Sequence, residues 1–328
     1  MSSIRVSEGP AIEEQLYESD DNFWDADRDI LTSGGKDMNL VVGATGVLGT
    51  EICRLLKERH RPVIGLVRKS SGEEKKNVLR EMGVQLAEGD LKDRSSLEKA
   101  CLGVDNVLST ATSIVSRQPD DSLITTDRDG HLALIDAAEK AGVRRFVFIS
   151  FPPIPLEIPL QTAKRDVEER LKNSKLTYTI LQPTVFQEVW LGPHLGFDAA
   201  SGNVRIYGSG QNKISWISFR DVAKFAVLAL ENPATENKVI PLGGPEALSA
   251  LEVVNIFEEV TGRPFKVEHV PEEALRAQYE ASTEMTQRSF TGLMLSCTNE
   301  TVIDMHDVLR WMPVKLQSVR DYAGAFAR

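Results

Sequence analysis

From residue 38 onward, short apolar runs alternate with longer stretches in which apolar residues recur at helical spacing. Such an alternation of buried strands and amphipathic helices is typical of an α/β fold in which helices cover both faces of a parallel sheet. The pattern therefore predicts a doubly wound parallel sheet with strands at Asn39–Val42, Pro62–Val67, Val84–Ala87, Asn106–Ser109, Arg145–Ile149 and Tyr178–Leu181.

Two of the intervening helices have recognisable features. One face of the stretch Leu48–Arg59 carries the apolar residues Leu48, Ile52, Leu55 and Leu56. The stretch His131–Ala141 is followed by Gly142, at the position where a helix C-terminus favours glycine. We therefore predict helices over both stretches.

The rhythm of strands and helices loosens after Pro183. Residues 186–217 are typical of loops and short strands, whereas residues 219–233 have the apolar stripe of a helix that packs on the core. Ser249 and Glu252 form a capping box at the start of another helix. We predict a first domain over residues 38–185 and a smaller, discontinuous α+β region over residues 186–328, in which residues 219–245 return to the sheet.

Composition and charge limit the class of protein. The 328 residues carry a net charge of −10 and no basic stripe, which argues against direct binding of nucleic acid. No apolar run approaches the ~18 residues of a membrane-spanning helix, and the N-terminus lacks the pattern of a signal or transit peptide. The three cysteines match no zinc or disulfide spacing. We expect a cytoplasmic protein without membrane contact and without a metal site.

Residues 1–37 form an acidic N-terminal arm with ten acidic and three basic residues. The arm also contains Tyr17, Phe23 and Trp24. Its composition is typical of a poorly ordered tail, and an arm whose aromatic residues dock on the body or on a protein partner is the alternative. The sequence leaves both alternatives open.

The segment MNLVVGATGVLGTEI, residues 38–52, consists of a predicted strand, three glycines and a predicted helix. Glycines let backbone N–H groups approach a pyrophosphate at the N-terminus of a helix, where the helix dipole favours an anion. Because strand and helix flank the glycines in the required order, the segment predicts a dinucleotide-binding turn of Rossmann type. The residues of the turn expected at the cofactor are Gly43, Thr45, Gly46, Val47, Leu48 and Gly49.

The end of the second predicted strand indicates which dinucleotide is bound. An NAD site places an acidic residue here, but this chain has Arg68 and Lys69. A guanidinium group offers a planar pair of donors to phosphate oxygens, which suits the 2′-phosphate of NADP(H). The sequence therefore predicts NADP(H) as the cofactor; a solvated surface position is the alternative for Arg68.

Five motifs occur in an order known from a protein family: GATGVLG, EGDLKD, VDNVLSTAT, AGVRRFVFIS and LTYTILQPTVF. Over roughly residues 38–270 the chain resembles the NmrA-like atypical short-chain dehydrogenase/reductases, which include the isoflavone-reductase-like enzymes. The resemblance implies that Asp90 and Leu91 border the adenine and that Thr110, Ala111 and Thr112 lie along the ribose. It also implies a nicotinamide wall made of Pro183, Thr184, Val185 and Phe186, in which many relatives have glycine in place of Thr184.

Most short-chain reductases place a serine at the end of the fifth strand and a Tyr-x-x-x-Lys motif on the next helix. Here Ser150 ends the strand and Lys164 is present, but Leu160 stands where the tyrosine would be. An aliphatic side chain carries no proton, so the usual relay lacks its donor. Ser150 is expected either to hydrogen-bond a substrate carbonyl or simply to cap the strand.

Lys164 is the candidate that replaces the tyrosine and lysine pair. It stands at helical spacing with Val167 and Leu171, at the edge of a buried stripe, in a helix whose other charged residues favour a solvated lysine as the alternative. A position in the first turn lowers a lysine pKa through the helix dipole. The resemblance implies that this lysine serves as acid and base and holds the nicotinamide ribose.

The substrate pocket is expected to be apolar. The proline-rich stretch FPPIPLEIPLQ, residues 151–161, excludes regular structure and predicts a stiff wall. The candidate substrate contacts are Phe151, Trp190, His194 and Trp216, with core packing as the alternative for the tryptophans and a surface loop for His194. Asp127 and His131 are interpreted as structural.

Three functions fit these features. The first is an NADPH-dependent reductase of a carbonyl, quinone or activated double bond in an apolar small molecule, with Lys164 in place of the usual pair. The second is a non-catalytic NADP(H)-sensing protein that binds a partner. The third is an isomerase, lyase or cyclase on the same fold, since the fold alone does not select a reaction.

Overall fold

The computed structural model describes residues 37–116 and 118–327, so the predicted arm at residues 1–37, except for Asp37, lies outside the described part. Twelve strands are present within it. Their bounds are β1 Asn39–Val42, β2 Val63–Val67, β3 Gln85–Glu88, β4 Asn106–Ser109, β5 Arg145–Ile149, β6 Thr177–Pro183, β7 Phe197–Asp198, β8 Asn203–Tyr207, β9 Lys213–Ser215, β10 Lys238–Leu242, β11 Ala247–Ser249 and β12 Lys266–Val270.

Seven strands form one sheet in the order β3-β2-β1-β4-β5-β6-β10, and every neighbouring pair is parallel. The first six strands follow the Rossmann order, which reverses direction between β1 and β4. The predicted fold class is confirmed. Strands β1, β4 and β5 have the bounds that the sequence predicts, and the other three differ by one or two residues at one or both ends.

Twelve α-helices connect or flank the described strands. Their bounds are α1 Val47–Glu58, α2 Glu73–Glu81, α3 Arg94–Ala100, α4 His131–Ala141, α5 Pro159–Lys172, α6 Gln187–Trp190, α7 Phe219–Leu228, α8 Ala250–Thr261, α9 Glu272–Ala281, α10 Met285–Ser296, α11 His306–Trp311 and α12 Val319–Gly324. A π-helical segment, Leu123–Gly130, runs directly into α4. Helix α4 ends at Gly142, whose φ of 76° is the left-handed conformation that glycine adopts without strain.

The two faces of the large sheet carry separate cores. On one face α1 and α7 pack together, and the predicted stripe of α1 is buried against α7 residues that include Val222 and Phe225. On the other face α4 and α5 cover the sheet with residues that include Leu134, Val167 and Leu171. Helices therefore cover both faces of the sheet, as the alternation of apolar runs and amphipathic stretches predicts.

The smaller sheets form beside the carboxyl edge of the large one. Strand β8 pairs with β7 and β12, and β9 pairs with β11. Helices α8 and α12 cover them with an aromatic cluster centred on Phe257. The predicted capping box at α8 is confirmed: the Ser249 hydroxyl accepts from the Glu252 N–H at 3.2 Å, and the Glu252 carboxylate accepts from the Ser249 N–H at 2.7 Å.

Two predictions concern the length and the polarity of the helices. Helix α7 ends at Leu228 rather than at residue 233, because a turn precedes Pro233. Within the described ranges, every helix is too short or too polar to cross a membrane.

Candidate active site

A cleft of about 780 Å³ lies over the carboxyl edge of the large sheet. In a parallel sheet the residues that follow each strand meet at this edge, and ligands of such folds bind there. The cleft is lined by the residues at or just after the strand ends: Gly43 after β1, Arg68 after β2, Gly89 after β3, Thr110 after β4, Ser150 after β5 and Pro183 in β6.

The glycine turn forms the floor of the cleft. Gly43 has a φ of +88°, and a Cβ atom there would lie 2.6 Å from Thr110 Oγ1, so only glycine fits. Gly46 precedes α1, and no side chain caps the first N–H groups of that helix. A Cβ on Gly46 would meet only the Gly43 carbonyl, at 3.4 Å. The uncapped helix end therefore faces open space, which suits a phosphate group.

Gly49 has a different role from the other two glycines. It does not line the cleft, and a Cβ atom on it would lie 2.1 Å from the Gly43 carbonyl oxygen. The missing side chain lets α1 pack directly against the back of the turn. Gly49 therefore shapes the turn from behind, whereas Thr45, Gly46, Val47 and Leu48 line the cleft.

One end of the cleft is charged. Arg68 lines it together with Asp90, and its Nη1 donates to Asp121 Oδ2 at 2.5 Å. The Asp121 side chain is buried and also accepts from Lys92 Nζ at 2.6 Å. Lys69 is exposed and does not line the cleft. Ser70, Ser71 and Gly72 line it instead.

Lys164 lies at the other end, in the second turn of α5, because that helix begins at Pro159. The side chain is buried, its Nζ donates to the Ile149 carbonyl at 3.3 Å, and Asp127 Oδ1 is 3.8 Å away. Burial lowers the pKa of Lys164, and the charge of Asp127 opposes this shift. The lowered pKa agrees with the prediction, but its cause is burial rather than the first-turn position that the sequence suggests.

Asp127, the carboxylate that faces Lys164, has more than the structural role that the sequence predicts for it. Its Oδ2 accepts from the backbone N–H of Ser113 at 2.8 Å and from the Ser113 hydroxyl at 2.5 Å. Its Oδ1 is buried, has no hydrogen bond within the described structure, and faces Lys164. The carboxylate is therefore held rigidly by one oxygen while the other compensates the charge of the amine.

His131 lies behind this pair as a neutral support. Its Nδ1–H donates to the Thr126 carbonyl at 3.0 Å, and its Nε2 accepts from the Ser109 hydroxyl at 2.9 Å. Burial is the main cause that lowers the pKa of His131 to about 4, and the nearby Lys164 acts in the same direction. The imidazole is therefore uncharged at neutral pH, as its structural interpretation requires.

Ser150 presents an unpaired hydroxyl beside Lys164. Its Oγ is buried, has no hydrogen-bond partner among the described residues, and belongs to a residue that lines the cleft. Leu160 lines the same end, and no described tyrosine does. The Tyr279 hydroxyl, for instance, donates to the Glu157 carbonyl at 2.6 Å. A buried polar atom without a partner is costly, so this hydroxyl is well placed to bind a ligand oxygen.

The remaining wall beyond Lys164 is apolar. It consists of Phe151, Pro152, Ile154, Leu160, Val189, Trp190, Leu195, Ile214, Phe290 and Leu293. Helix α10, in which sequence analysis finds no motif, contributes Phe290 and Leu293. Cys297 also lines this end, and burial raises the pKa of its thiol to about 12, so it is uncharged.

The structure separates two predicted substrate contacts from the cleft. Trp216 is buried in the aromatic cluster of the small sheets, where its Nε1 donates to the Leu248 carbonyl at 2.9 Å. His194 is exposed on a short 3₁₀ turn, and Leu195 of that turn lines the cleft in its place. Thr184 does line the cleft, and its hydroxyl donates to the Ser215 carbonyl, which ties β6 to β9.

Among the described residues, this cleft joins a glycine turn at a helix N-terminus to a buried amine and an apolar pocket, an arrangement typical of nucleotide-binding enzymes. Residues 35–303 match the profile described as the NmrA-like family, and the chain belongs to that family. The resemblance read from the five motifs is thereby confirmed.

The names of individual relatives state different functions, a reductase in one case and an assembly factor in another. The NAD(P)H azoreductase of Xenophilus azovorans is 35% identical over 232 residues, which cover 70% of this chain and 76% of that protein. The photosystem II assembly factor Ycf39 of Trieres chinensis is 32% identical over 235 residues, 71% of this chain and 72% of that protein. The solved structure of AtPrR2 with NADP⁺ and (+)pinoresinol has a TM-score of 0.73 at 24% identity, covers 89% of this chain and 99% of that chain, and shows the fold.

The packing behind the turn predicts the effect of adding one methyl group. Gly49→Ala places a Cβ atom against the Gly43 carbonyl, so the free energy of unfolding should fall by about 1–3 kcal/mol, the usual range for overpacking. Chemical denaturation measures this change. Gly324→Ala is the control, because a Cβ atom there meets nothing within 4 Å. Equal stability of the two variants would contradict the packing role of Gly49.

Proposed function

We propose that the chain is an NADP(H)-dependent reductase that acts on a carbonyl, quinone or activated double bond of an apolar small molecule. One observation carries the proposal: the same cleft runs from the glycine turn past the buried pair of Lys164 and Asp127 into an apolar pocket. The azoreductase relative, whose name states nucleotide-dependent reduction, supports the same reaction class.

The residues along the cleft fit each part of NADP(H). The glycine turn would hold the pyrophosphate, and Arg68 with Ser70 and Ser71 would hold the 2′-phosphate. Asp90 and Leu91 would border the adenine, and Thr110, Ala111, Thr112 and Lys164 would contact the riboses. Pro183, Thr184, Val185 and Phe186 would form the wall beside the nicotinamide.

The reduction needs a hydride and a proton. When bound, NADPH supplies the hydride. Lys164 supplies the proton from its ammonium group to the substrate oxygen or carbon that becomes basic, directly or through one water. Asp127 keeps the buried amine protonated before the reaction, and proton uptake from water restores the ammonium group afterwards.

Ser150 and the apolar wall position the substrate in this mechanism. The unpaired hydroxyl of Ser150 donates to the substrate oxygen and polarises the bond that is reduced. The wall formed by Phe151, Trp190 and Phe290 excludes water, which strengthens both electrostatic contacts. An apolar substrate with a single polar group matches this surface best.

A second candidate is a nucleotide-binding protein without turnover, which the assembly-factor relative favours by its name. The two functions are separated by measuring NADPH oxidation with a panel of quinones, enones, aldehydes and azo compounds. A reductase consumes NADPH with at least one class, and when the product is the alcohol of an aldehyde or the saturated product of an enone, deuterium from the reactive face of [4-²H]NADPH appears in its new C–H bond. Tight NADP⁺ binding with no turnover across the panel would favour the second candidate.

Replacing the buried amine tests its role in proton transfer. Lys164→Met keeps the apolar length of the side chain but removes the proton, so kcat should fall by about 10²–10⁴-fold. The dissociation constant for NADP⁺, measured by calorimetry, should change far less. Lys172→Met, at an exposed position of the same helix, is the control and should match the wild type. Weakened nucleotide binding with kcat preserved would limit Lys164 to holding the ribose.

The ion pair also predicts the pH dependence of the reaction. As an acid, Lys164 must be protonated, so kcat/KM should fall as the pH rises through its lowered pKa. Asp127→Asn removes the charge that raises this pKa, so the fall should move to lower pH by about one to two units. The other charged neighbours on α5, Arg165 and Glu168, pair with each other and remain unchanged.

Asp129→Asn provides the matched control for this shift. Asp129 is exposed in the same π-helical segment and pairs with Arg128, so its replacement changes the net charge equally without contacting Lys164. Its pH profile should overlay that of the wild type. A profile of Asp127→Asn that also overlays the wild type would show that the carboxylate does not act on Lys164.

A further inference from the structure

A carboxylate occupies the end of the cleft where the 2′-phosphate of NADP(H) would bind. Asp121 lines the cleft, and only 3% of its side chain is exposed. Three donors converge on it: Arg68 Nη1 at 2.5 Å, Lys92 Nζ at 2.6 Å and Ser116 Oγ at 2.5 Å. This acidic residue comes from the loop after β4, far in sequence from the position where an NAD site usually carries one.

Asp121 carries a negative charge at neutral pH. Burial raises its pKa, but the hydrogen bonds from Lys92, Ser116 and Arg68 outweigh that effect and lower the pKa below its ordinary value. The carboxylate is therefore a fixed anion that shares the guanidinium group of Arg68 with any phosphate bound there.

This arrangement acts in opposite directions on the two nicotinamide nucleotides. A 2′-phosphate on Arg68 would lie close to a second anion, and like charges in a partly buried site repel each other. The adenosine ribose of NADH carries hydroxyl groups in place of that phosphate, and hydroxyl groups donate to a carboxylate. Arg68 alone favours NADPH, whereas Arg68 paired with Asp121 offers a partner to each nucleotide.

We propose that Asp121 sets the cofactor selectivity of this site, weakening NADPH binding and allowing NADH to bind as well. The inference rests on the proposed function, which places the adenosine end of the nucleotide at Arg68. It assigns selectivity to a residue that lines the adenosine end of the cleft, not to the catalytic end.

Calorimetric titration with NADPH and NADH tests the proposal without any substrate. Wild-type protein should bind both nucleotides. Asp121→Asn should bind NADPH about tenfold more tightly, as expected for removal of one nearby charge, and NADH no more tightly than the wild type. Asp121→Ser should shift selectivity in the same direction. Asp120→Asn is the control: this neighbour is exposed, does not line the cleft and carries the same charge.

A double-mutant cycle locates the effect at Arg68. In an Arg68→Ala background, Asp121→Asn should change NADPH affinity much less, because without the guanidinium group the 2′-phosphate is no longer held beside Asp121. Weaker NADPH binding by Asp121→Asn, or equal changes for both nucleotides, would overturn the proposal and leave Asp121 as a support that orients Arg68. Wild-type protein that binds neither nucleotide would overturn the proposed function itself, and the selectivity role with it.

Discussion

The buried contact between Lys164 and Asp127 is the interaction on which the site depends. A charged amine removed from water loses solvation free energy that a single carboxylate 3.8 Å away repays only in part. Such a pair adds little to the free energy of unfolding, because apolar side chains of similar volume would stabilise the fold about as well. Its presence at the edge of the cleft is therefore better explained by chemistry, since a lysine with a lowered pKa is a more effective acid near neutral pH.

The fold places this pair by bringing three separate segments to one edge. Strand β5 supplies the Ile149 carbonyl, α5 supplies Lys164, and the π-helical segment before α4 supplies Asp127. The extra residue per turn of a π-helix is a common feature of functional sites, where it re-aims side chains. Here the capping box of Ser122 and Thr125 starts the segment, and the hydrogen bonds of His131 secure its end.

Local patterns in the sequence predict the frame of the structure well. The strands β1, β4 and β5, the stripe of α1 and the capping box at Ser249 depend on neighbouring residues, and these features agree with the structure. Strand β10 is not among the predicted strands, because three of its five residues are exposed and one of them is Pro241.

Contacts between distant segments are what the sequence does not reveal. The sequence predicts only a structural role for Asp127 and marks Asp121 by no motif. Their roles follow from the fold, in which the chain after β4 brings Asp121 to Arg68 and Asp127 to Lys164. The apolar wall from α10 has no local signature either, since Phe290 and Leu293 are typical of any packed helix. Trp216 shows the converse: a conspicuous aromatic residue near the site that belongs to the packing of the small sheets.

An NMR titration of the lysine side chains, with ¹³C-labelled lysine, tests the central claim most directly. One Cε resonance should titrate below the ordinary lysine pKa of 10.5 and should be absent from Lys164→Arg protein. If every lysine titrates near the ordinary value, or if the unusual resonance persists in that variant, Lys164 is not the buried, acidified amine described above.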